Sequence, residues 1–559
     1  MKQKNKTLLL RYFLILFILF LGVYLRTINP NWDQEHHLHP DERFLTMVGN
    51  KINWPKNLKE YFNTDTSPLN PYNQGYGFFV YGTFPLFLVK KLALILGKDN
   101  YQQFNILGRT TSAIFDLGTL VLIGFIAKRI IKKHWLWAFF IYAISVLPIQ
   151  LSHFFMVDTF LNFFLVATFL FLILFYQKSN KIFLILAGML LGMALACKIT
   201  AALFIPIAIL FAIISSLKKK GWLFLLINGI VFSLCLFISF HIFQPYAFTD
   251  IFHINPQFVA NLKELRSHSH NPQSFYPPAI QWIKTKPLLF PGKNIILWGL
   301  GAPIGISALI SLLFFPIYFF RKEKKPIVLG LSWFWITFLF LYQGMQFSKT
   351  MRYFLPLYPS LAIITGNFIG QYLGKIPNQN YRLLLKICLI TIFLIWPLSF
   401  IRIYLQPHSR VIGSKWIYDN IPQKTTLSCE HWDDCLPLSI EAKNPTSYHY
   451  KTEMLPLYDA DTNEKWQKIN QQLKKIDYLI LSSNRLWGSI PKVPEIYPQT
   501  TKFYNDLLAS RLGFQVIAEI TSYPCFPPKG KPFFCIPDQS SEEAFTVYDH
   551  PKIIIFKNN

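Results

Sequence analysis

Acidic residues are scarce in this chain. Only 29 of its 559 residues are Asp or Glu, against 55 Lys or Arg, and charged residues of both signs make up 15%. So few charges cannot solvate a soluble domain of this size. With 52% hydrophobic and 17% aromatic residues, the chain is not a disordered one either. Cysteine is also sparse, seven in all, and no two stand in the CxxC spacing of a compact zinc site. Internal repeats and low-complexity segments are absent. The first apolar run, Leu8 to Leu25, follows Lys2, Lys4 and Lys6 and holds Arg11, but lacks a small-residue cleavage site. It reads as a retained span, not a removed signal peptide.

What is present is a series of apolar runs near the roughly 20 residues needed to cross a bilayer. They lie at 7–27, 105–127, 135–152, 159–176, 182–197, 199–217, 221–243, 295–319, 327–343, 354–373 and 383–404. Residues 182–217 form one apolar stretch. As a single helix it would be about 50 Å long, too long for a core of about 30 Å, so a turn at Cys197-Lys198 is expected. The fold class is a polytopic α-helical membrane protein with about eleven transmembrane helices. The net charge of +26 does not imply nucleic acid, because the Lys and Arg cluster between the runs. A cytoplasmic N-terminus makes every inner loop basic, from Lys128-Arg129 to Lys375 and Arg382. The expected location is the cell membrane. Loops 28–104 and 244–294 then lie outside, as does everything beyond about residue 405. Within the first loop, Gly75 to Gly97 reads as an interfacial helix.

After residue 404 the strict apolar runs stop. Amphipathic helices are expected over 412–420, 461–476 and 499–512, and strands over 478–482, 514–518 and 552–556. The chain thus divides into a membrane domain, 1–404, and an extracytoplasmic α/β domain, 405–559. Four of the seven cysteines fall in the second, Cys429, Cys435, Cys525 and Cys535. Disulfides in an oxidising compartment are expected, with 429–435 and 525–535 favoured among three pairings.

The candidate chemistry sits on the outer side. His36 to Arg43 places Asp41 and Glu42 between histidines and an arginine directly after the first span. Adjacent carboxylates diverge on any regular element, so they do not form a facing glycosidase-type pair. One suits a general base for a hydroxyl group. His39 with Asp41 and Glu42 is the possible site for a divalent metal ion, the only cofactor in question. Asp158 opens the fourth span on the same side, where a carboxylate is costly unless used; capping that helix is its plain alternative. Arg43, Arg109, Lys198, Lys349 and Arg352 break the positive-inside rule, and of these Arg43, Arg109, Lys198 and Arg352 are the candidate phosphate ligands; snorkelling to the headgroups is their plain alternative. Glu430, Asp433 and Asp434 read as a structural or recognition loop.

These residues resemble the GT-C glycosyltransferases. The nearest are bacterial phospholipid-carrier-dependent enzymes of the protein O-mannosyltransferase-like and aminoarabinose-transferase-like kind. The stretches that carry the likeness include HPDERF (39–44), GRTTSAIFD (108–116), HFFMVDTF (153–160), MRYFLPLYP (351–359), EHWDDCLPL (430–438) and VYDHPKIIIF (547–556). The resemblance implies inverting transfer of a sugar from a polyprenyl-phosphate donor to an acceptor hydroxyl of a glycan, lipid or protein. By it Asp41 matches the catalytic first-loop aspartate, Glu42 its acidic neighbour and Asp158 the second-loop acid. The rival readings are a ligase or polymerase of lipid-linked glycans, and a transporter or scaffold. A transporter would carry charges midway along its spans, where this chain has only Asp116.

Overall fold

The computed structural model describes residues 2–219, 221–270, 277–323, 326–441 and 443–559. Among these, eight helices are long and apolar enough to cross a membrane: Leu8–Thr27, Tyr101–Ile130, Val157–Lys178, Ile199–Leu217, Gly221–Phe243, Ala302–Arg321, Ile327–Gly344 and Gln379–Leu405. A ninth candidate is the pair Lys132–Ala143 and Val146–Ser152, bent by 51°. The remaining two expected spans are helical but short. Lys181–Cys197 and Tyr358–Gly374 have 17 residues each, about 25 Å. The long apolar stretch does break at Lys198, which is extended and followed by the 3-10 turn Ile199–Phe204.

The bent pair has a local cause. Pro148 has no N–H to give the carbonyl of Ile144, so the helix breaks there. The carbonyls released just before the break find Arg26, which donates to Ala143 O at 2.8 Å and Tyr142 O at 3.1 Å. The same guanidinium meets Asp116 at 2.6 Å, and the Tyr142 hydroxyl reaches the other Asp116 oxygen at 2.5 Å. Asp116 is therefore half of a fully buried ion pair that ties the first long helix to the second.

The loop after the first helix is ordered by its own chemistry. Helix Pro40–Lys51 starts at His39, whose Nδ1 accepts the Asp41 N–H at 3.2 Å. Pro40 supplies a preset φ at the first position, and Asp41 and Glu42 sit where the helix dipole favours negative charge. Further on, helix Thr83–Leu96 buries Leu86, Phe87 and Val89 against the bundle and exposes Leu94 to Leu96.

The C-terminal portion is a five-stranded sheet with helices. In chain order the strands are β1 (Thr426–Glu430), β2 (Lys451–Leu455), β3 (Tyr478–Leu481), β4 (Phe514–Ile520), β5 (Cys525–Phe526), β6 (Phe534–Cys535) and β7 (Ile553–Asn558). The sheet runs β2-β1-β3-β7-β4, with β2, β1 and β3 parallel and β7 antiparallel to both neighbours; β5 and β6 form a separate hairpin. Alternation along β7 sends Ile554 and Phe556 into one core and Ile553 and Ile555 into the other. Disulfides join Cys429 to Cys435 and Cys525 to Cys535.

This sheet is fastened to the bundle by buried polar groups. Asp549 accepts from Gln150 at 3.0 Å and from the Tyr404 hydroxyl at 2.8 Å. His550 lies between Asp549 and Asp538, 2.7 Å from the latter. Burial pushes the imidazole down, but the two carboxylates outweigh it and hold its pKa up at about 10. A value raised above the ordinary 6.5 means the ionised His550 stabilises fully below pH 6.5. That contribution fades as pH rises towards 10. The expected result is a Tm that falls between pH 6.5 and 10, with the fall reduced in His550→Gln, read by thermal scans of solubilised protein. Equal slopes for both proteins would remove His550 from this role.

Candidate functional site

The two adjacent carboxylates of the first loop go to different places. Successive residues on a helix point about 100° apart. Glu42 turns inward and is fully buried. Both its oxygens accept from Arg109, from Nε and a terminal nitrogen, each at 2.7 Å; Oε1 also accepts the Phe155 N–H at 2.8 Å. Arg109 spends its other three N–H groups on Pro30 O and on both Asp33 oxygens, all at 2.7 Å. All five N–H groups of Arg109 are thus used. Burial raises the Asp33 carboxyl, but Arg109 overcomes this and holds it down at about 2. For Glu42 burial is the larger effect and its pKa is raised.

Asp41 turns the other way. Its Oδ2 accepts from Arg352 at 2.5 Å, and the Tyr81 hydroxyl bonds the same carboxylate. Burial pushes this carboxyl up. The charges of Arg352 and His39 and the bonds from Arg352 and Tyr81 more than reverse that, holding it well below the usual carboxylate range. Arg352 donates one N–H to Asp41 and lies in the field of Asp158 as well.

Asp158, in the first turn of Val157–Lys178, accepts from Lys198 Nζ at 2.8 Å. Lys198 Nζ lies 4.4 Å from the centre of the Tyr353 ring and the Arg352 guanidinium 5.5 Å from it, so the two cations are at most about 10 Å apart. Asp158, Lys198 and Tyr353 line a cavity of about 330 Å³, together with the polar Thr200, Gln343, Gln346 and Ser348. Its remaining wall is largely apolar, with Leu161, Leu165, Leu203, Trp335 and Leu339. Asp41, Asp158, Lys198 and Arg352 therefore gather around Tyr353.

Other residues in the sequence reading are placed elsewhere. Arg109 has no N–H left for a phosphate, and Glu42 has both oxygens filled; they fasten the loop. Arg43 donates to His37 O at 2.9 Å and to Asp434 at 2.8 Å. Of the candidates, only Asp158 and Lys198 line the cavity; Arg352 lies against its Tyr353 and Asp41 bonds Arg352, whereas Arg43 and Arg109 make neither contact. The metal reading does not fit. His39 Nδ1 is taken by the Asp41 N–H, burial holds its ring neutral with a pKa of about 3, and the two carboxylates point to different arginines. Among the described residues no three His, Cys, Asp or Glu side chains are grouped to share a metal ion.

The C-terminal portion closes on the same place. Glu542 accepts from the Thr350 hydroxyl at 2.9 Å and from Met351 N–H at 2.8 Å, next to Arg352. Tyr548 packs against His39 with ring centres 4.2 Å apart. Asp433 and Asp434 both bind Arg410, at 2.5 and 2.9 Å, and Asp434 reaches Arg43 across to the first loop. Glu430 is buried against the Tyr504 hydroxyl. Of these three acids Asp434 alone bridges to the first loop, while Asp433 and Glu430 are tied within the C-terminal portion. Asp33, Tyr81, Tyr353 and Glu542 were not predicted; only Tyr353 carried a signal, as the neighbour of Arg352.

Residues 87–243 match the family model described as dolichyl-phosphate-mannose-protein mannosyltransferase. No curated protein matches the chain in sequence. Among solved structures, the oligosaccharyltransferase of Archaeoglobus fulgidus, in complex with Zn and sulfate, is similar with a TM-score of 0.52. It is 12% identical over 88% of this chain and 71% of its own. ArnT from Cupriavidus metallidurans, bound to undecaprenyl phosphate, aligns over 99% of this chain and 98% of its own at 11% identity, with a TM-score of 0.43. The fold is like that of the Archaeoglobus fulgidus oligosaccharyltransferase, and here it is a bundle of helices long and apolar enough to cross a membrane with a C-terminal α/β sheet.

Proposed function

We propose that this protein is a glycosyltransferase that moves a sugar from a polyprenyl-phosphate donor to an acceptor hydroxyl, with inversion. The observation that carries the reading is the cluster of Asp41, Arg352, Asp158 and Lys198 around Tyr353, beside a largely apolar cavity that Asp158, Lys198 and Tyr353 line. The match of residues 87–243 to a lipid-phosphate-sugar family supports it. In this reading the N-terminus is cytoplasmic, and the site and residues 405–559 face outward at the cell membrane. Residues 1–404 form the transferase body.

The chemistry follows from charge. The lipid tail lies along the leucine wall. Its phosphate meets Lys198, which has two N–H groups free of Asp158, and Arg352, which has four free of Asp41. The acceptor oxygen attacks the anomeric carbon as the bond from that carbon to the phosphate oxygen breaks. The hydroxyl proton passes to Asp41, and polyprenyl phosphate leaves with its charge held by the two cations. The low pKa keeps Asp41 ionised before reaction. As phosphate draws Arg352 away, the proton affinity of Asp41 rises when it is needed.

The test is a panel of polyprenyl-phosphate sugars offered to purified protein in lipid. Turnover of at least one, to water or to a membrane acceptor, is the expected result; no turnover, with or without membrane acceptors, would reject the reading. Lys198→Gln removes one charge-assisted contact, worth about 1.5–3 kcal/mol. The donor KM should rise by roughly 10- to 100-fold with a smaller change in kcat, measured by steady-state kinetics. An unchanged KM would remove Lys198 from phosphate binding.

A further inference from the structure

A second cavity lies at the far end of the bundle. Helix Tyr101–Ile130 carries Arg109 near one end and leads into Lys132 and Lys133 at the other, about 30 Å away. There, a recess of about 430 Å³ opens beside the end of the short helix Tyr358–Gly374. Four basic side chains line it: Lys133, His134, Arg382 and Lys386. No acidic residue lines it, and none of the four makes an ion pair among the described residues. Gly370 lets the His134 ring lie on the helix, since a Cβ there would sit 2.4 Å from it. The floor is apolar, with Phe17, Phe140 and Ile390 among its residues.

Converging cations with no acid repel one another and need an anion. An apolar floor beneath them needs a hydrocarbon chain. We propose that this recess binds a lipid with an anionic phosphate headgroup, the phosphate held by Lys133, Arg382 and Lys386 and an acyl or prenyl chain lying between the first and last long helices. The site is separate from the Asp41 cluster and does not depend on the reaction assigned there.

The experiment uses the full-length protein in detergent. Native mass spectrometry and thermal scans follow titration with phosphatidylglycerol, phosphatidylcholine, a polyprenyl phosphate and inorganic phosphate. Phosphatidylglycerol should remain bound and raise Tm where phosphatidylcholine does not. The triple variant Lys133→Gln, Arg382→Gln, Lys386→Gln should weaken this by about tenfold or more. Should that variant fail to fold, Gly374→Leu fills the recess instead; its nearest neighbour to a new Cβ is His134 Cε1 at 3.8 Å. It should displace lipid and keep the fold. A larger triple-variant-sensitive shift with polyprenyl phosphate assigns the recess to that lipid; a larger one with phosphatidylglycerol assigns it to a bilayer phospholipid. Equal responses to phosphatidylglycerol and phosphatidylcholine would overturn the proposal. So would a shift reproduced by inorganic phosphate alone, or variants that bind as wild type does.

Discussion

Asp41→Asn is expected to lower sugar transfer by about 10²- to 10⁴-fold, the usual size of a general-base contribution. The protein should otherwise be unaltered. Asp41 retains 22% side-chain exposure and bonds Arg352 through one oxygen, so the amide oxygen can still accept from the guanidinium. The pair is only about a quarter exposed, but the amide keeps this hydrogen bond and adds no uncompensated buried carboxylate, so the loss of stability is expected to be small beside the loss of rate. The variant should therefore purify in normal yield with a normal Tm. Single-turnover decay of a polyprenyl-phosphate sugar measures the step directly. Loss of rate with normal donor binding locates Asp41 in the chemistry. A rate within a few-fold of wild type would exclude Asp41 as the base, whatever the stability. Glu42→Gln offers the contrast, because Glu42 is sealed against Arg109 and Phe155. Its expected effect falls on folding, with activity per folded molecule retained.

The two neighbours also show what sequence can and cannot convey. The spacing of apolar runs located every long helix, since hydrocarbon thickness allows few alternatives. The break at Lys198 was legible because one helix of that length would not fit. In the C-terminal portion the third, fourth and last strands were legible from apolar alternation. Strands β1 and β2 were missed: TLSCE and KTEML are short and polar, and parallel pairing places them through distant partners. At the site, Asp41 and Arg352 were each found, but not as partners, because 311 residues separate them. Arg109 was singled out for its position near a membrane face. Its partners Asp33 and Glu42 lie 76 and 67 residues away, and only the fold shows that they and the Pro30 carbonyl consume every N–H it has. A charge at a span end looks the same in sequence whether it waits for a ligand or is already satisfied.

That distinction makes Arg109 the other large effect. Replacing it by Gln leaves two carboxylates, Asp33 and Glu42, both at 0% exposure, without their counter-ion. Breaking a buried ion pair from one side costs about 3–5 kcal/mol, a large share of the 5–15 kcal/mol that holds a typical protein folded. Arg109→Lys should rescue little, because one ammonium cannot supply five N–H groups in a planar fork. Both variants are expected to accumulate poorly and to melt well below wild type, seen by size-exclusion of solubilised protein and by thermal scans. A phosphate-binding Arg109 would behave in the opposite way: normal yield and Tm, with a raised donor KM. Molecules of Arg109→Lys that do fold should bind donor normally, because Lys198 lines the cavity and Arg352 lies against its Tyr353, whereas Arg109 does neither. A Tm near that of wild type together with weakened donor binding would return Arg109 to the list of phosphate ligands.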